Sequence, residues 1–188
     1  YKQVMFVYST LLTVFTLGLP RAYSYFIPRV SLAESKDVIN KITKLFILLG
    51  LFFSLFLYFF SHPIACILKN PDLALALKWF SPTPFFLLMG LEGILASYKR
   101  TQLYAIFTIA TKFFTLLCMI VPVVVFNGNY ISAIKGFVIA SLLSFILYLY
   151  LKSLPVKKVS LEKTQITYRQ ILTFSIPLFL SSLWIMIT

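Results

Sequence analysis

Acidic residues and histidine are scarce in this sequence, which has five Asp and Glu residues and one His among 188 residues. Acid–base catalysis and metal centres both need clusters of these side chains, so neither a catalytic set nor a metal site is predicted. The two cysteines, Cys66 and Cys118, stand apart from each other in apolar surroundings, without a close pair that would indicate a redox or zinc motif. We therefore predict a protein that is not an enzyme and carries no cofactor.

Charge is also sparse, since charged residues make up 12% of the chain and hydrophobic residues 60%. Soluble domains carry about a quarter charged residues, so this chain has too little polar surface to cover a globule in water. We predict an all-α integral membrane protein, a polytopic helix bundle. The net charge of +12 does not indicate nucleic-acid binding, because no nucleic-acid motif is present and most of the Lys and Arg residues lie in short loops between apolar runs.

Long apolar runs are what the sequence does contain. A helix needs about 20 such residues to cross roughly 30 Å of hydrocarbon. Five complete spans and one truncated span satisfy this length. The complete spans are 4–27, 45–60, 79–98, 103–126 and 130–151, and the truncated span begins near Ile171 and stops at Thr188. Both ends of the chain read as cuts, so the chain is predicted to be an internal fragment of a longer protein.

Lys and Arg alternate between the loops in a way that predicts orientation. The loops 29–44, 99–100 and 152–169 hold four, two and five of these residues, eleven together, whereas the opposite loops hold Lys2 and Lys69. Positive charge concentrates on the cytoplasmic side of membrane proteins. The sequence therefore predicts that Lys158 is cytoplasmic and Asn129 is outside. It also predicts that 152–169, which lacks a helical apolar stripe, is a cytoplasmic linker.

Four polar residues inside the spans are candidates for a transport site. Lys112 lies near the middle of its span, on a helix face shared with Tyr104, Thr108, Thr111 and Thr115. A cation at that depth is costly in lipid, so a hydrated cavity is favoured for Lys112 and Thr108 over a structural pairing with a carboxylate.

The sequence allows two interpretations of the role of Arg21 and two of the role of Glu92. Arg21 follows Gly18-Leu19-Pro20 and could bind an anion or extend to the cytoplasmic headgroups. Glu92 could serve ion coupling, or it could pair with Lys99 or Arg100 at the membrane edge. Lys135 is placed near the outer headgroups, beside a seam of small residues. That seam comprises Ser132, Gly136, Ala140 and Ser144, and it predicts close helix packing.

Short motifs resemble those of one transporter family. Ser175-Ile176-Pro177-Leu178-Phe179-Leu180 follows the basic linker and Tyr168-Arg169-Gln170-Ile171-Leu172. This pattern resembles the start of the second half of polysaccharide (O-antigen, Wzx-type) flippases of the multidrug/oligosaccharidyl-lipid/polysaccharide exporter superfamily. Gly18-Leu19-Pro20-Arg21 and Phe26-Ile27-Pro28-Arg29 resemble the end of that family's second helix. The resemblance covers the whole chain as helices two to six and part of helix seven.

The resemblance implies a two-bundle exporter fold of six plus six or more helices. Residues 1–151 would form the N-terminal bundle without its first helix, and 170–188 would begin the C-terminal bundle. The implied activity is alternating-access flipping of an undecaprenyl-pyrophosphate-linked oligosaccharide across the bacterial cytoplasmic (inner) membrane, for surface polysaccharide such as the O-antigen of lipopolysaccharide. Lys112, Arg21 and Thr108 would contact this substrate. A proton or sodium gradient would drive transport, and a polysaccharide polymerase and glycosyltransferases would be partners besides membrane lipid.

Other functions remain open from the sequence. The first alternative is a drug or metabolite exporter of the same superfamily, which would use a less basic cavity and acidic coupling sites. A membrane polysaccharide polymerase or ligase would need a large outer loop, and the outer loops here are short. A membrane scaffold without transport activity would not need the polar stripe that includes Lys112.

Overall fold

Helices form every regular element of the described residues, which are 2–86, 90–125, 127–157 and 159–187 of a computed structural model. In chain order the helices are α1 (Lys2–Thr16), α2 (Leu19–Phe26), α3 (Leu32–Ile67), α4 (Asp72–Phe80), α5 (Thr83–Phe86), α6 (Leu91–Ser97), α7 (Thr101–Val124), α8 (Tyr130–Ser153) and α9 (Tyr168–Ile187). Single 3-10 turns lie at Ile27–Arg29 and Leu154–Val156. The predicted all-α class is confirmed.

Four segments are long and apolar enough to cross a membrane. They are Leu32–Ile67, Asp72–Ser97, Thr101–Val124 and Tyr130–Val156, the second of which runs across 87–89, outside the described residues. These segments indicate a multi-pass protein embedded in a membrane.

Apolar side chains on the outer faces of the helices support the same conclusion. On α7, no residue is buried within the described chain, and large side chains such as Ile109 (71% exposed) and Leu116 (57% exposed) point outward. Phe52 and Phe59 on α3 and Ile146 on α8 are exposed in the same way. A soluble monomer rarely presents apolar surface on this scale, whereas lipid tails or further helices cover it at no cost.

The first predicted span, 4–27, is divided into two helices. Leu17 and Gly18 have positive φ angles of 46° and 69°, which end α1 and allow α2 to begin in a new direction. Glycine adopts this conformation without strain, and Pro20 fits the first turn of α2. A Cβ at Gly18 would also lie 2.9 Å from the carbonyl oxygen of Ser175 in α9. The expected crossing helix is therefore a broken one.

The third predicted span, 79–98, is likewise not one continuous helix. It corresponds to the end of α4, all of α5 and all of α6, and it includes 87–89, which lie outside the described residues. The N-terminus of α6 follows Gly90, whose φ is +101°. A turn of this kind needs the left-handed conformation, which glycine alone adopts readily.

The second predicted span, 45–60, lies inside a much longer helix. Helix α3 has 36 residues, or about 54 Å at 1.5 Å per residue, which exceeds the hydrocarbon thickness. Ser31 and Glu34 form a capping box at its start, with Glu34 N donating to Ser31 Oγ at 3.3 Å and Ser31 N to Glu34 Oε2 at 3.2 Å. The cap starts the helix well before its apolar stretch.

Helices α7 and α8 form a tightly packed hairpin, and the predicted small-residue seam is where they meet. Gly136, Ala140 and Ser144 are buried, and a Cβ at Gly136 would lie 1.8 Å from the carbonyl oxygen of Cys118. The turn closes at Asn129, whose Oδ1 accepts hydrogen bonds from the backbone N–H groups of the first turn of α8. The close helix packing predicted for the seam is thus observed at Gly136, against α7.

A hydrogen-bonded tyrosine pair lies in the core between α2, α3 and α8. Tyr23 Oη lies 3.0 Å from Thr43 Oγ1 and 3.3 Å from Tyr148 Oη, and both tyrosine side chains are fully buried. Buried hydroxyls need such partners, because an unpaired polar group in an apolar interior is costly. The cluster holds α2 firmly against α3 and α8, and α2 carries Arg21.

Cysteine labelling is expected to find Asn129 outside the cell and Ser160 in the cytoplasm, because of the charge bias of the loops. Lys158 lies outside the described residues, so the exposed Ser160 of the same segment replaces it as a probe. The background should carry Cys66→Ser and Cys118→Ser. In intact cells an impermeant maleimide should label Asn129→Cys and spare Ser160→Cys, which should react after lysis. Labelling of Ser160→Cys in intact cells would contradict this orientation.

Candidate functional site

A cleft of about 470 Å³ lies where α2, α6 and the first turns of α7 meet. It is the place at which two of the predicted site residues come together. Its lining includes Pro20, Arg21 and Ser24 of α2, Gly90, Glu92, Gly93 and Ala96 at α6, and Tyr104 and Phe107 of α7. The cleft combines one cation, one carboxylate and two hydroxyl groups on an otherwise apolar lining.

The helix break before α2 sets the position of Arg21. The N–H of Arg21 donates to the carbonyl of Gly18 at 3.2 Å, so the arginine lies in the first turn after the break. The turns that follow are fixed on the buried side by Leu19, Ala22 and Tyr23, all of which are 0% exposed. Helical geometry then directs Arg21 and Ser24 to the opposite face, toward the cleft.

Two glycines bring α6 close enough to α2 for this cleft to form. A Cβ at Gly93 would lie 2.7 Å from Ser24 Oγ, and one at Gly90 would lie 2.4 Å from the ring of Tyr23. Real Cβ atoms do not approach other atoms so closely, so only glycine permits the contact. The backbone of α6 therefore rests on α2, and this contact places Glu92 beside the face that carries Arg21.

Arg21 and Glu92 are both exposed to this cleft and are not joined in an ion pair. Within the described parts of the chain, no Lys or Arg nitrogen lies at ion-pair distance from Glu92, so the alternative pairing with Lys99 or Arg100 is not formed. Glu92 lies in the first turn of α6. A free guanidinium and a free carboxylate in one cleft can bind a phosphoryl anion and a cation respectively.

The threonines of α7 form a ladder that begins at the cleft. Thr108 Oγ1 donates to the carbonyl of Tyr104 at 3.0 Å, Thr111 Oγ1 to that of Thr108 at 3.0 Å, and Thr115 Oγ1 to that of Thr111 at 2.8 Å. Each hydroxyl proton is thus satisfied within the helix, and each hydroxyl oxygen keeps its capacity to accept. Thr108 is half-buried one turn beyond Tyr104, next to the cleft but outside its lining.

Lys112 lies farther along the same helix, about 12 Å beyond Tyr104 at 1.5 Å per residue. Its side chain is exposed at the edge of the half-buried threonine face, and it does not line the cleft of Arg21 and Glu92. No carboxylate of the described residues pairs with it. The structure therefore brings Arg21 and Glu92 together and leaves Lys112 on the open face of α7. The substrate-binding roles of Lys112, Thr108 and Arg21 and the coupling role of Glu92 stay predictions.

Lys135 and His62 each contact a neighbouring side chain and lie outside the cleft. Lys135 Nζ lies 4.1 Å from the centre of the Trp79 ring, a cation–π contact that holds it between α8 and α4. His62 Nδ1 lies 3.5 Å from Cys66 Sγ one turn later on α3. Across the described ranges no three His, Cys, Asp or Glu residues come close enough to hold a metal ion.

The sequence did not identify several residues that form this site. They are the lining residues Gly90, Gly93 and Ser24 and the buried pair Tyr23 and Tyr148, which fixes α2. The glycines did carry a signal, because they stand three residues apart beside Glu92 in a chain with six glycines. Small residues in general let helices approach each other closely. The tyrosines carried none, since a single tyrosine in an apolar run also suits a headgroup position.

Comparisons with known proteins add no relative to this picture. No protein-family model, no curated protein and no solved structure matches this chain.

Proposed function

We propose that the full-length protein is a flippase of the bacterial cytoplasmic membrane. It moves an undecaprenyl-pyrophosphate-linked oligosaccharide from the inner to the outer leaflet for surface polysaccharide synthesis. The proposal includes a two-bundle exporter fold, in which residues 1–151 belong to the first bundle and 170–188 begin the second. The observation that supports it is the cleft in which Arg21, without an ion-pair partner among the described residues, lies beside Glu92 and against the membrane-spanning segments Asp72–Ser97 and Thr101–Val124.

The charge of the substrate explains why such a cleft would be needed. A sugar–pyrophosphate headgroup cannot cross hydrocarbon unaided, because burying its charge without partners is prohibitively costly. A guanidinium binds phosphate oxygens through paired, charge-assisted hydrogen bonds. Arg21 supplies this group, and Thr108 supplies hydroxyl oxygen nearby that can accept from sugar hydroxyls. Lys112, on the open face of α7, would meet the substrate in the space between the two bundles.

Energy for transport would come from an ion gradient. Glu92 is a free carboxylate in the same cleft, and a carboxylate that binds a proton or sodium ion there would change the field felt by Arg21. Binding of the ion at Glu92 and of the pyrophosphate at Arg21 would then be coupled electrostatically, because both groups lie in the same cleft. Alternating access needs such coupling, because the substrate must be held in one conformation of the two bundles and released in the other.

A drug or metabolite exporter of the same superfamily is the second candidate, because Glu92 in the cleft is compatible with it as well. Acidic residues that bind a coupling ion would suit either cargo. The basic partner Arg21 favours an anionic cargo over a cationic drug. A polymerase or ligase is less favoured, because the described outer connections, residues 68–71 and 127–129, are too short to hold a catalytic loop.

Complementation separates the candidates. Expression of the full-length protein in a strain that lacks its polysaccharide flippase should restore surface polysaccharide and lower the lipid-linked precursor in the inner leaflet. The same strain, deleted for its drug exporters, should show unchanged resistance to cationic dyes. Restored dye resistance without surface polysaccharide would replace the flippase with the exporter. A protein that accumulates normally in the membrane and changes neither readout would contradict both.

A further inference from the structure

A second and larger cleft, of about 800 Å³, opens at the end of the bundle that carries the basic loops. Its walls are the end of α2 with the following 3-10 turn, the linker at 164–166 and the first turns of α9. The residues that matter here are Tyr25, Arg29, Glu34, Arg169, Thr173 and Phe174. This cleft shares no lining residue with the cleft of Arg21 and Glu92.

The linker wall of this cleft is held in place by a polar clamp on α3. Asp37 Oδ2 lies 2.8 Å from Lys41 Nζ and accepts from the backbone N–H of Thr164 at 3.1 Å. Lys41 Nζ also donates to the carbonyls of Thr164 at 3.3 Å and Ile166 at 2.9 Å. Because both charges of the pair bind the linker backbone, this stretch of chain without helix is a fixed surface.

Stacked rings and one arginine form the floor. The rings of Tyr25 and Phe174 are 4.0 Å apart between centroids, and they join α2 to α9. The guanidinium carbon of Arg29 lies 3.5 Å from the centroid of the Tyr25 ring. Stacking on a ring fixes the plane of a guanidinium and leaves its in-plane N–H donors free to point outward. Arg29 is therefore preorganised to bind a planar pair of oxygen atoms.

The positive charge of this cleft is not neutralised by neighbouring acids. Arg29 and Arg169 are exposed, and neither has an ion-pair partner among the described residues. The one carboxylate in the lining, that of Glu34, accepts from Ser31 N at 3.2 Å and from Ser31 Oγ at 3.0 Å in the helix cap. Two free guanidiniums with a hydroxyl at Thr173 match the donors that phosphoryl oxygens require.

We propose that this cleft binds the phosphoryl group of an anionic membrane lipid, held by Arg29 and Arg169. Basic pockets between helices at the cytoplasmic surface are suited to lipid headgroups, because the headgroup layer and its negative potential lie at that level. The apolar rings of the floor provide contact for the glycerol and upper acyl chain. The inference goes beyond the proposed transport function and does not rest on it, since no transported cargo is required.

Lipid binding to the purified full-length protein in neutral detergent tests this site. Short-chain phosphatidylglycerol is the probe, phosphatidylcholine is the control lipid, and inorganic phosphate is the soluble arm. Native mass spectrometry measures the bound fraction. Phosphatidylglycerol should bind, and Arg29→Gln with Arg169→Gln should weaken its binding about tenfold or more, since both charge-assisted contacts to the phosphoryl oxygens would be lost. Arg29→Lys with Arg169→Lys should retain part of the binding.

A matched control removes the same charge elsewhere in the linker. Lys157 and Lys163 are exposed and do not line the cleft, so Lys157→Gln with Lys163→Gln should leave the affinity within about twofold. An equal loss in this control would mean diffuse attraction and would overturn the site, as would unchanged binding by the double arginine variant. Equally tight inorganic phosphate, displacing the lipid, would overturn the lipid as the ligand.

Discussion

Replacing Gly136 with alanine should separate helices α7 and α8 and cost the folded protein about 3 kcal/mol, the upper part of the range for overpacked interiors. The physical reason is a single contact, because the new Cβ would lie 1.8 Å from the carbonyl oxygen of Cys118. That oxygen belongs to a helix backbone, which cannot rotate aside as a flexible side chain can. The loss of stability is measured as a decrease in the transition temperature, which is the temperature at which half of the detergent-solubilised protein has left the monodisperse peak in size-exclusion chromatography.

The matched control adds more volume at an exposed position of the same helix. Ile139 is 54% exposed, so Ile139→Phe should change the transition temperature little, although it adds a larger group than a methyl. A variant Gly136→Ala that is as stable as the parent would show that α7 and α8 do not pack through this seam. The helix hairpin would then have another register.

Replacing Arg21 with glutamine should lower surface polysaccharide at least tenfold in the complemented flippase-null strain. The cleft would lose the one guanidinium that lines it, and each charge-assisted hydrogen bond to a phosphoryl oxygen is worth about 1.5–3 kcal/mol. Arg21→Lys should keep part of the activity, because an ammonium retains the charge without the paired geometry. Surface polysaccharide is read by antibody binding, at matched amounts of protein in the membrane.

Two further lysines in the same assay show whether position or charge alone matters. Lys135→Gln should be close to the parent, because Lys135 is held over Trp79 between α8 and α4, away from both clefts. Lys112→Ala is expected to weaken export about tenfold or more and Lys112→Arg to retain part of it, as predicted for a cation facing the substrate. Normal export by Arg21→Gln would show that the cleft does not bind the pyrophosphate, even if the protein is a flippase.

Uninterrupted apolar runs gave helix positions that agree with the structure. The predicted spans 103–126 and 130–151 correspond to Thr101–Val124 and Tyr130–Ser153, with Phe126 outside the described residues. These segments could be found from the sequence because membrane helices satisfy their own backbone hydrogen bonds, so length and hydropathy suffice. The seam at Gly136 could also be found from the sequence, since small residues repeated along one face of a membrane helix indicate close packing against another helix.

The helix breaks at Gly18 and Gly90 could not be predicted from hydropathy and length. Gly18 and Gly90 adopt positive φ angles, and at both positions a neighbouring element occupies the space that a side chain would fill. A glycine in an apolar run can equally continue a helix, so its sequence position does not reveal which conformation it takes. Contact with α9 at Gly18 and with Tyr23 at Gly90 selects the turn, and these partners are distant in sequence.

The sequence by itself determined the class of the protein, the positions of its long apolar helices and the loop charges that predict its orientation. Each of these depends on the composition of a short stretch of chain, because the hydrocarbon core of the bilayer has a fixed thickness and its two sides attract positive charge unequally. Only the tertiary structure decided which polar residues meet. Arg21 and Glu92 share a cleft because two glycines let α6 rest on α2, whereas Lys112 lies apart from it, exposed on α7 about two turns beyond Tyr104. Such pairings depend on distances between segments far apart in the chain, which local patterns do not contain.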